Sequence, residues 1–171
     1  MKVICVTGTP GTGKTMLSKK LARELGFLHF EVKKFISKNK IFEGYDKKRK
    51  TRIVDVKKLN KELISTIKSR NGINGMVIDS HLSHYLPGKY VDLCIVARCD
   101  IKELNKRLKR RGYKKGKIEE NLQAEIFEVC KEEALEMRHK VVSIDLTSGS
   151  EWYQKELEKY RQARLWQLTP K

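Results

Sequence analysis

The residues best able to do chemistry are the glycines, lysine and threonine of segment 8–15, which reads GTPGTGKT. This segment matches the pattern G-x-x-x-x-G-K-[ST] at every required position. Glycines let consecutive backbone N–H groups turn inward around an anion, so we expect Gly11 and Gly13 to contact phosphates. Lys14 supplies a positive charge for the outer phosphates of ATP, and the Thr15 hydroxyl is suited to binding Mg²⁺. The segment therefore predicts a site for ATP and Mg²⁺.

The sequence on either side of this segment has the pattern that a phosphate-binding loop requires. The apolar run 3–6 predicts a buried parallel strand before it, and the amphipathic run 14–25 predicts a helix after it. The N-terminus of that helix would direct its positive dipole end at the same phosphates. Met16, in the first helical turn, is included among the nucleotide-binding residues. The alternative, a glycine-rich turn without a ligand, is less favoured in this context.

A second group for the metal ion is expected at the end of another strand. The run 76–79 places Asp79 at such a strand end, and His81 follows as a group that could position a water molecule or a phosphate. Asp79 thus joins Thr15 as a predicted metal ligand, although a capping aspartate is the alternative. We interpret His29 as a strand or surface histidine and assign no role to His84.

Arginine residues cluster in the sequence after the fourth predicted strand. Phosphoryl transfer builds negative charge on the transferred oxygens, which a guanidinium can stabilise. Arg111 is the preferred candidate for this role, and Arg98, Arg107 and Arg110 are further candidates. For Arg110 a solvated basic helix face is an equally good interpretation.

The chain is predicted to form one α/β domain over residues 1–171, with a five-stranded parallel sheet covered by helices on both faces. Two basic segments, 33–51 and 110–117, lack a core pattern and could be mobile covers. The predicted strands are 3–6, 27–32, 76–79, 91–97 and 141–146, and the predicted helices are 14–25, a short one around Phe35, 56–67, one from Asp100 to Gly112, 118–137, and a last one carrying Leu157, Tyr160 and Leu165.

The charge balance indicates a partner with many negative charges. Lys and Arg total 38 against 21 Asp and Glu, a net charge of +17, so association with RNA or another polyanion is expected. The alternative is that most of these lysines simply face water.

The cysteine pattern and the hydropathy indicate a cytoplasmic protein. The four cysteines form no CxxC pair, which is typical of reduced thiols and not of disulfides or a zinc site. No apolar stretch approaches the roughly 20 residues that span a bilayer, and the N-terminus reads as a strand, so neither a membrane partner nor a signal peptide is expected.

Six segments together carry a resemblance to a known family. In order they are GTPGTGKT at 8–15, GYD at 44–46, IVD at 53–55, DSH at 79–81, RGY at 111–113 and NLQAEIF at 121–127. Over residues 3–147 the chain resembles the adenylate kinase isoenzyme 6 family of archaeal type. Its members are small nucleoside monophosphate kinases and ATPases linked to ribosome assembly.

The resemblance implies a P-loop NTPase fold of the nucleoside monophosphate kinase type, with a monophosphate-binding region at about 32–55 and a lid at about 110–120. It implies transfer of the γ-phosphate of ATP to AMP, ATP hydrolysis, and binding to a platform protein of the small ribosomal subunit and to rRNA. Arg111 matches the lid arginine that contacts ATP. Asp79 and His81 match the pair that handles Mg²⁺ and water.

The chain departs from the family in the monophosphate-binding region. Lys34 and Ser37 stand where relatives carry an acidic residue and an arginine, and the run 47–50 is basic where relatives are acidic. Three hypotheses follow: a kinase for AMP, an assembly ATPase that binds and releases a ribosomal protein or rRNA, and a kinase for a metabolite other than a nucleotide. The DSH and RGY segments argue against the third.

Overall fold

The computed structural model describes residues 1–47, 51–70 and 72–148. The predicted last helix and residues 48–50 of the basic run lie outside this part of the chain. The strands are β1 (Lys2–Thr7), β2 (Leu28–Glu31), β3 (Gly44–Asp46), β4 (Thr51–Ile53), β5 (Gly75–Asp79), β6 (Leu93–Arg98) and β7 (Val141–Asp145). The helices are α1 (Lys14–Leu25), α2 (Val32–Asn39), α3 (Val56–Ser69), α4 (Ile101–Arg110), α5 (Lys115–Ile126) and α6 (Val129–Glu136).

Five strands form one parallel sheet in the order β2-β5-β1-β6-β7, and β3 pairs with β4 in a separate antiparallel hairpin. The register places Val6 opposite Asp79, and Glu31 opposite Asp79 on the other side. Because the carboxyl ends of parallel strands meet at one edge, the segment after β1 lies beside the end of β5. Ligands bind at this edge in open α/β sheets.

Alternating residues of β1 supply two separate cores, one on each face of the sheet. Ile4 and Val6 pack with Leu17 of α1, whereas Val3 and Cys5 pack in a cluster that includes Leu59 of α3. Cys5, Cys94 and Cys99 are buried, and no cysteine forms a disulfide. The five-stranded parallel sheet with helices on both faces is therefore confirmed.

Helix ends follow the predicted capping residues. Asp100 precedes α4 and its carboxylate accepts hydrogen bonds from the backbone N–H groups of Lys102 and Glu103. Gly26 ends α1 in the left-handed conformation. Among the described residues, none of the helices has both the length and the hydropathy to cross a bilayer.

Two segments differ from the sequence-based prediction. The helix predicted over 118–137 is two helices, because Glu128 adopts a left-handed φ of 52° and its carboxylate pairs with Arg98 on β6. The segment 33–51 was expected to be irregular around a short helix, yet it also contains the two short strands β3 and β4. Short strands of three residues give too little alternation to be recognised from sequence.

Candidate active site

The loop between β1 and α1 is held in a conformation that glycine alone adopts easily. Gly8, Gly11 and Gly13 have φ angles of 135°, 101° and 109°. A Cβ atom on Gly8 would lie 2.4 Å from the carbonyl oxygen of Ala97. Gly13 is the residue before α1, so the loop ends at the helix N-terminus as the sequence predicts.

Buried threonines stabilise the loop from within. The Thr12 hydroxyl donates to the carbonyl oxygen of Thr9 at 2.9 Å, and the Nζ of Lys14 lies 3.4 Å from the same oxygen. Thr7, Thr9 and Thr12 are at most 2% exposed. Sequence reasoning assigned Thr9 and Thr12 no role, because the loop pattern accepts any residue at their positions.

Lys14 lies at the centre of the charged groups of the site. Burial lowers the pKa of its ammonium group, the negative charge of Asp79 opposes this, and the positive charge of Arg111 reinforces it. A desolvated ammonium group of this kind is stabilised by an anion such as a phosphate.

Asp79 at the end of β5 has one carboxylate oxygen that receives no hydrogen bond within the described part of the chain. The residue is 4% exposed, and its Oδ2 is buried without a hydrogen bond among the described residues. The Thr15 side chain is exposed at the start of α1. An unsatisfied carboxylate oxygen and a hydroxyl are oxygen ligands of the type that Mg²⁺ prefers, so the residues present fit this ion.

His29 contributes to the site, although the sequence suggested only a strand or surface position. It lies on β2, and its Nε2 is 3.4 Å from Oδ2 of Asp79, outside good hydrogen-bond geometry. The parallel pairing of β2 with β5 brings these side chains together. This contact could not be predicted from the sequence, because it depends on β2 lying beside β5 in the sheet.

His81 follows β5 two residues after Asp79 and is influenced by the charge of Lys14. The protein atoms packed around its ring lower the pKa to about 4, and the charges of Lys14, His84 and Lys117 act in the same direction. The side chain is nevertheless exposed to water, so solvent screening makes the shift of the pKa smaller than full burial would give. His81 is neutral at pH 7 in either case.

His84 is buried under the phosphate loop. Its Nδ1 lies 2.6 Å from the Thr7 hydroxyl, and its Nε2 lies 2.9 Å from Glu133 of α6. Burial lowers its pKa while Glu133 raises it. The Tyr85 hydroxyl also donates to Glu133, so this chain of contacts ties the end of β1 to α6. Sequence reasoning gave no indication of this structural role.

Of the four arginine candidates, three bind other protein groups, and the fourth, Arg111, influences the pKa of Lys14. Arg111 follows α4 directly and is exposed. Arg107 donates to the carbonyl oxygens of Thr12, Leu146 and Thr147. Arg98 pairs with Glu125 and Glu128, and the largely exposed Arg110 pairs with Glu103 at 3.4 Å. Arg107 and Arg98 therefore support the loop from outside the site.

The other predicted nucleotide-binding residues surround the loop. Gly11 packs against α4, where an added Cβ would lie 3.0 Å from Leu104. Met16 is 43% exposed in the first turn of α1. Gly11, Gly13, Thr15 and Met16 thus form the loop and the start of its helix. The charges of Asp79 and Arg111 act on Lys14, and the charge of Lys14 acts on His81.

The region expected to bind a monophosphate presents a more exposed surface. Lys34 of α2 is 80% exposed and pairs with Glu31 at 2.8 Å. Ser37 is exposed on the same helix. In the hairpin, Tyr45 and Ile53 are 58% and 51% exposed.

The chain is similar to a family of known domains and to named kinases. The family model described as an AAA domain matches residues 4–128. The protein named adenylate kinase isoenzyme 6 homolog FAP7 from Saccharomyces cerevisiae is 39% identical over 86% of this chain and 73% of its own length. A protein named putative adenylate kinase from Methanocaldococcus jannaschii is 37% identical over 85% of this chain and 77% of its own length.

The fold is shared with a solved kinase of distant sequence. Shikimate kinase from Acinetobacter baumannii in complex with shikimate superposes with a TM-score of 0.61 at 11% identity, covering 96% of each chain. At this identity the likeness concerns the fold alone. The predicted P-loop kinase fold is confirmed by the sheet order and by this likeness together.

Proposed function

Because the chain belongs to the adenylate kinase isoenzyme 6 family and is a nucleotide kinase, we propose that it converts ATP and AMP to two ADP and also hydrolyses ATP. The observation that carries this proposal is the glycine-containing loop at the N-terminus of α1, which lies beside Asp79, whose Oδ2 receives no hydrogen bond among the described residues. The charges of Asp79 and Arg111 also act on the pKa of Lys14. Lys14 in turn acts on the neutral His81. These groups can stabilise a transferred phosphoryl group and position its acceptor.

The proposed reaction is an in-line transfer without a covalent protein intermediate. Backbone N–H groups of Gly11 and Gly13 and the Lys14 ammonium hold the phosphates of ATP, and Met16 contacts the nucleotide beside them. The transition state spreads negative charge over the transferred oxygens, so fixed donors and positive charges are sufficient catalysts.

Thr15 and Asp79 would hold a Mg²⁺ ion. The ion would supply positive charge that neutralises the outer phosphates as negative charge develops. The described residues contain no cluster of three His, Cys, Asp or Glu side chains able to bind a metal by themselves. A Mg²⁺ ion held by one or two protein oxygens together with substrate phosphates fits this donor set.

Arg111 would act on the phosphates of ATP, and His81 would act on the water molecule or the acceptor phosphate. Arg111 precedes the connection to α5, within the proposed lid at 110–120, and its guanidinium would close over the phosphates. His81 is neutral at pH 7 because its pKa is lowered to about 4. It can therefore accept a hydrogen bond from a water molecule and orient it, or orient the acceptor phosphate.

The acceptor would bind between the sheet edge and the region 32–55, within a single domain covering 1–171. Lys34 pairs there with Glu31, whose β2 position faces Asp79 across the strand pair. Lys34 is a cation that could bind a phosphate in this region, although Glu31 now pairs with it. AMP is the proposed acceptor because relatives carry the name adenylate kinase.

The second candidate function is an assembly ATPase that binds and releases a platform protein of the small ribosomal subunit or rRNA. It is favoured by a group of exposed cations on α4, on the turn after it and at the first residue of α5: Lys102, Lys106, Lys109, Arg110, Lys114 and Lys115. A surface of this kind attracts phosphate backbones. The four unpaired cysteines fit a cytoplasmic location for either function.

Measuring ADP release from Mg²⁺ and ATP, with and without AMP, distinguishes the two functions. We expect AMP to accelerate ADP release strongly. Lys14→Met should lower the rate about 100-fold or more, because a preorganised charge at the phosphates is lost. Lys61→Met is the matched control, since Lys61 is an exposed lysine on α3 and should leave the rate unchanged.

A slow rate that depends on Lys14 but not on AMP would contradict the kinase proposal in favour of the assembly ATPase. Stimulation of that rate by RNA, with a steep salt dependence, would then identify the partner class. Equal rates for Lys14→Met and the wild-type protein would contradict both candidates.

A further inference from the structure

Glu125 is a buried carboxylate on α5 that the proposed reaction does not use. The residue is 2% exposed and belongs to the NLQAEIF segment at 121–127. Its Oε2 accepts a hydrogen bond from the Thr9 hydroxyl at 2.6 Å. Its Oε1 accepts from Nε of Arg98 at 2.7 Å and from the backbone N–H of Cys99 at 3.1 Å. A buried carboxylate with three donors is fixed in one orientation.

The contact with Thr9 connects Glu125 to the phosphate loop. The carbonyl oxygen of Thr9 accepts from the Thr12 hydroxyl at 2.9 Å, and the Nζ of Lys14 lies 3.4 Å from the same oxygen. The position of Thr9 thus determines where this oxygen stands relative to the Lys14 ammonium. Glu125 is also close enough for its charge to raise the pKa of Lys14.

The contacts with Arg98 fix the C-terminal end of α5 to the sheet. The Arg98 guanidinium also donates to the backbone oxygen of Glu125 at 3.3 Å and pairs with Glu128. Glu128 has the left-handed φ of 52° that separates α5 from α6, and Lys131 lies 2.5 Å from its other oxygen. The end of α5 is therefore attached to β6 through side chains on both sides of the helix break.

The two ends of α5 have different surroundings. Its first residue, Lys115, follows Arg111 by four positions, and residues 114–116 are exposed. Its last turn contains the buried Glu125. In the first turn, Ile118 is 8% exposed and packs with Leu104 and Leu108 of α4, so the exposed end of α5 is limited to its first residues. Glu125 attaches the other end to the phosphate loop.

We propose that Glu125 is a positioning residue that couples α5 and the lid to the phosphate loop, by holding Thr9 and through it Lys14. This inference rests on the proposed function for the identity of the lid. The coupling predicts that the Thr9–Glu125 hydrogen bond affects nucleotide affinity, and not only the stability of the fold.

The test compares variants at both ends of this hydrogen bond by calorimetric titration with ATP. Thr9→Val keeps the size of the side chain but removes the hydroxyl, and should weaken ATP affinity about tenfold. Thr9→Ser keeps the hydroxyl and should stay within about threefold of the wild-type protein. Glu132→Gln, an exposed carboxylate on α6, is the matched control and should have no effect.

Glu125→Gln completes a double-mutant cycle with Thr9→Val. If Glu125 acts through Thr9, the double variant should lose no more ATP affinity than the weaker-binding single variant. Fully additive losses would overturn the proposal. If Glu125→Gln fails to fold because Arg98 loses its partner charge, the comparison of Thr9→Val with Thr9→Ser still decides the question.

A merely structural role would give a different result. Thr9→Val would then lower the thermal unfolding midpoint while binding ATP as the wild-type protein does at a temperature well below that midpoint, which overturns the inference. The titration does not depend on AMP or on turnover. If AMP does not accelerate ADP release by the wild-type protein, the proposed function is contradicted, but this test is unaffected.

Discussion

The phosphate loop and the proposed monophosphate-binding region at about 32–55 differ in how much of their structure is buried. Thr9 and Thr12 of the loop, and Thr7 at the end of β1 before it, are at most 2% exposed, and Arg107 donates to the Thr12 carbonyl oxygen at 3.1 Å. In the other region Lys34 is 80% exposed and Tyr45 is 58% exposed. One part of the site is supported from several elements, and the other faces solvent.

This difference indicates that the proposed ATP site is more rigid than the proposed site for the acceptor. Groups fixed by packing and by buried hydrogen bonds bind a phosphate chain without reorganising, which favours catalysis. Exposed side chains on α2 and the β3–β4 hairpin must be ordered when a ligand binds, which lowers affinity. We therefore expect substitutions to have large effects in the loop and modest effects in the other region.

The largest contrast should come from adding one methyl group in each region. Gly8→Ala places a Cβ 2.4 Å from the carbonyl oxygen of Ala97 at a φ of 135°. It should lower the free energy of unfolding by about 3 kcal/mol or more and abolish ATP binding. Gly44→Ala in the hairpin meets only Ile53, at 3.7 Å, and should change the free energy by less than about 1 kcal/mol.

Urea unfolding measures both free energies, and titration with ATP measures the binding. Equal losses for the two variants would show that the hairpin is as tightly packed as the loop. That result would contradict the proposed difference in rigidity between the two regions.

A smaller effect is expected from adding a cation to the exposed region. Ser37→Arg places a guanidinium on the exposed face of α2, at the position where the family resemblance leads us to expect an arginine. It should lower the KM for AMP about tenfold, because a guanidinium binds phosphate oxygens through two hydrogen bonds. The rate of hydrolysis with ATP alone should not change.

Ser69→Arg, at the end of α3, adds the same charge outside the site and is the control for this measurement. Steady-state kinetics with varied AMP gives both constants. An unchanged KM for AMP in Ser37→Arg would place the acceptor phosphate away from α2.

The smallest effect should be a difference in acid sensitivity between the two regions. Hydrogen bonds from Arg98 and Lys131 lower the pKa of Glu128 from 4.5 to about 2. This pairing stabilises the fold at pH values above about 4.5, and the contribution is lost as the pH falls towards about 2. Glu128→Gln should lose less than about 1 kcal/mol at pH 7, since the pair is partly exposed.

Urea unfolding between pH 7 and pH 3 should show the wild-type and Glu128→Gln proteins converging in stability as the pH falls. Glu31→Gln is the comparison from the other region, because Glu31 pairs with the exposed Lys34. Its difference from the wild-type protein should be smaller at every pH. A constant gap for Glu128→Gln would contradict the pairing with Arg98.

The sequence predicts those parts of the site whose conformation depends on residues that are neighbours in the chain. The residues of segment 8–15 follow from the backbone geometry of an anion-binding loop, and Asp79 follows from its place at a strand end. Asp100 was recognisable as a helix cap for the same reason, since its partners are two and three residues away. Each of these predictions needs only a few neighbouring residues.

The parts that sequence could not predict depend on distant partners. Thr9 and Glu125 are 116 positions apart, and Thr7 and His84 are 77 positions apart. Their contacts arise only after the sheet order and the helix break at Glu128 are known. No periodicity or local pattern marks a buried carboxylate as a partner of a loop hydroxyl.

The three buried thiols and the half-buried Cys130 have a practical consequence for detecting movement of the proposed lid at about 110–120. Burial raises the pKa of Cys94 to about 12 and the pKa values of Cys99 and Cys130 to about 11, and it also raises that of Cys5. The thiolate is the form that reacts with maleimide reagents, so the native cysteines are poor targets near neutral pH. A fluorophore can therefore be attached to a cysteine introduced by Lys115→Cys while all four native cysteines remain in place.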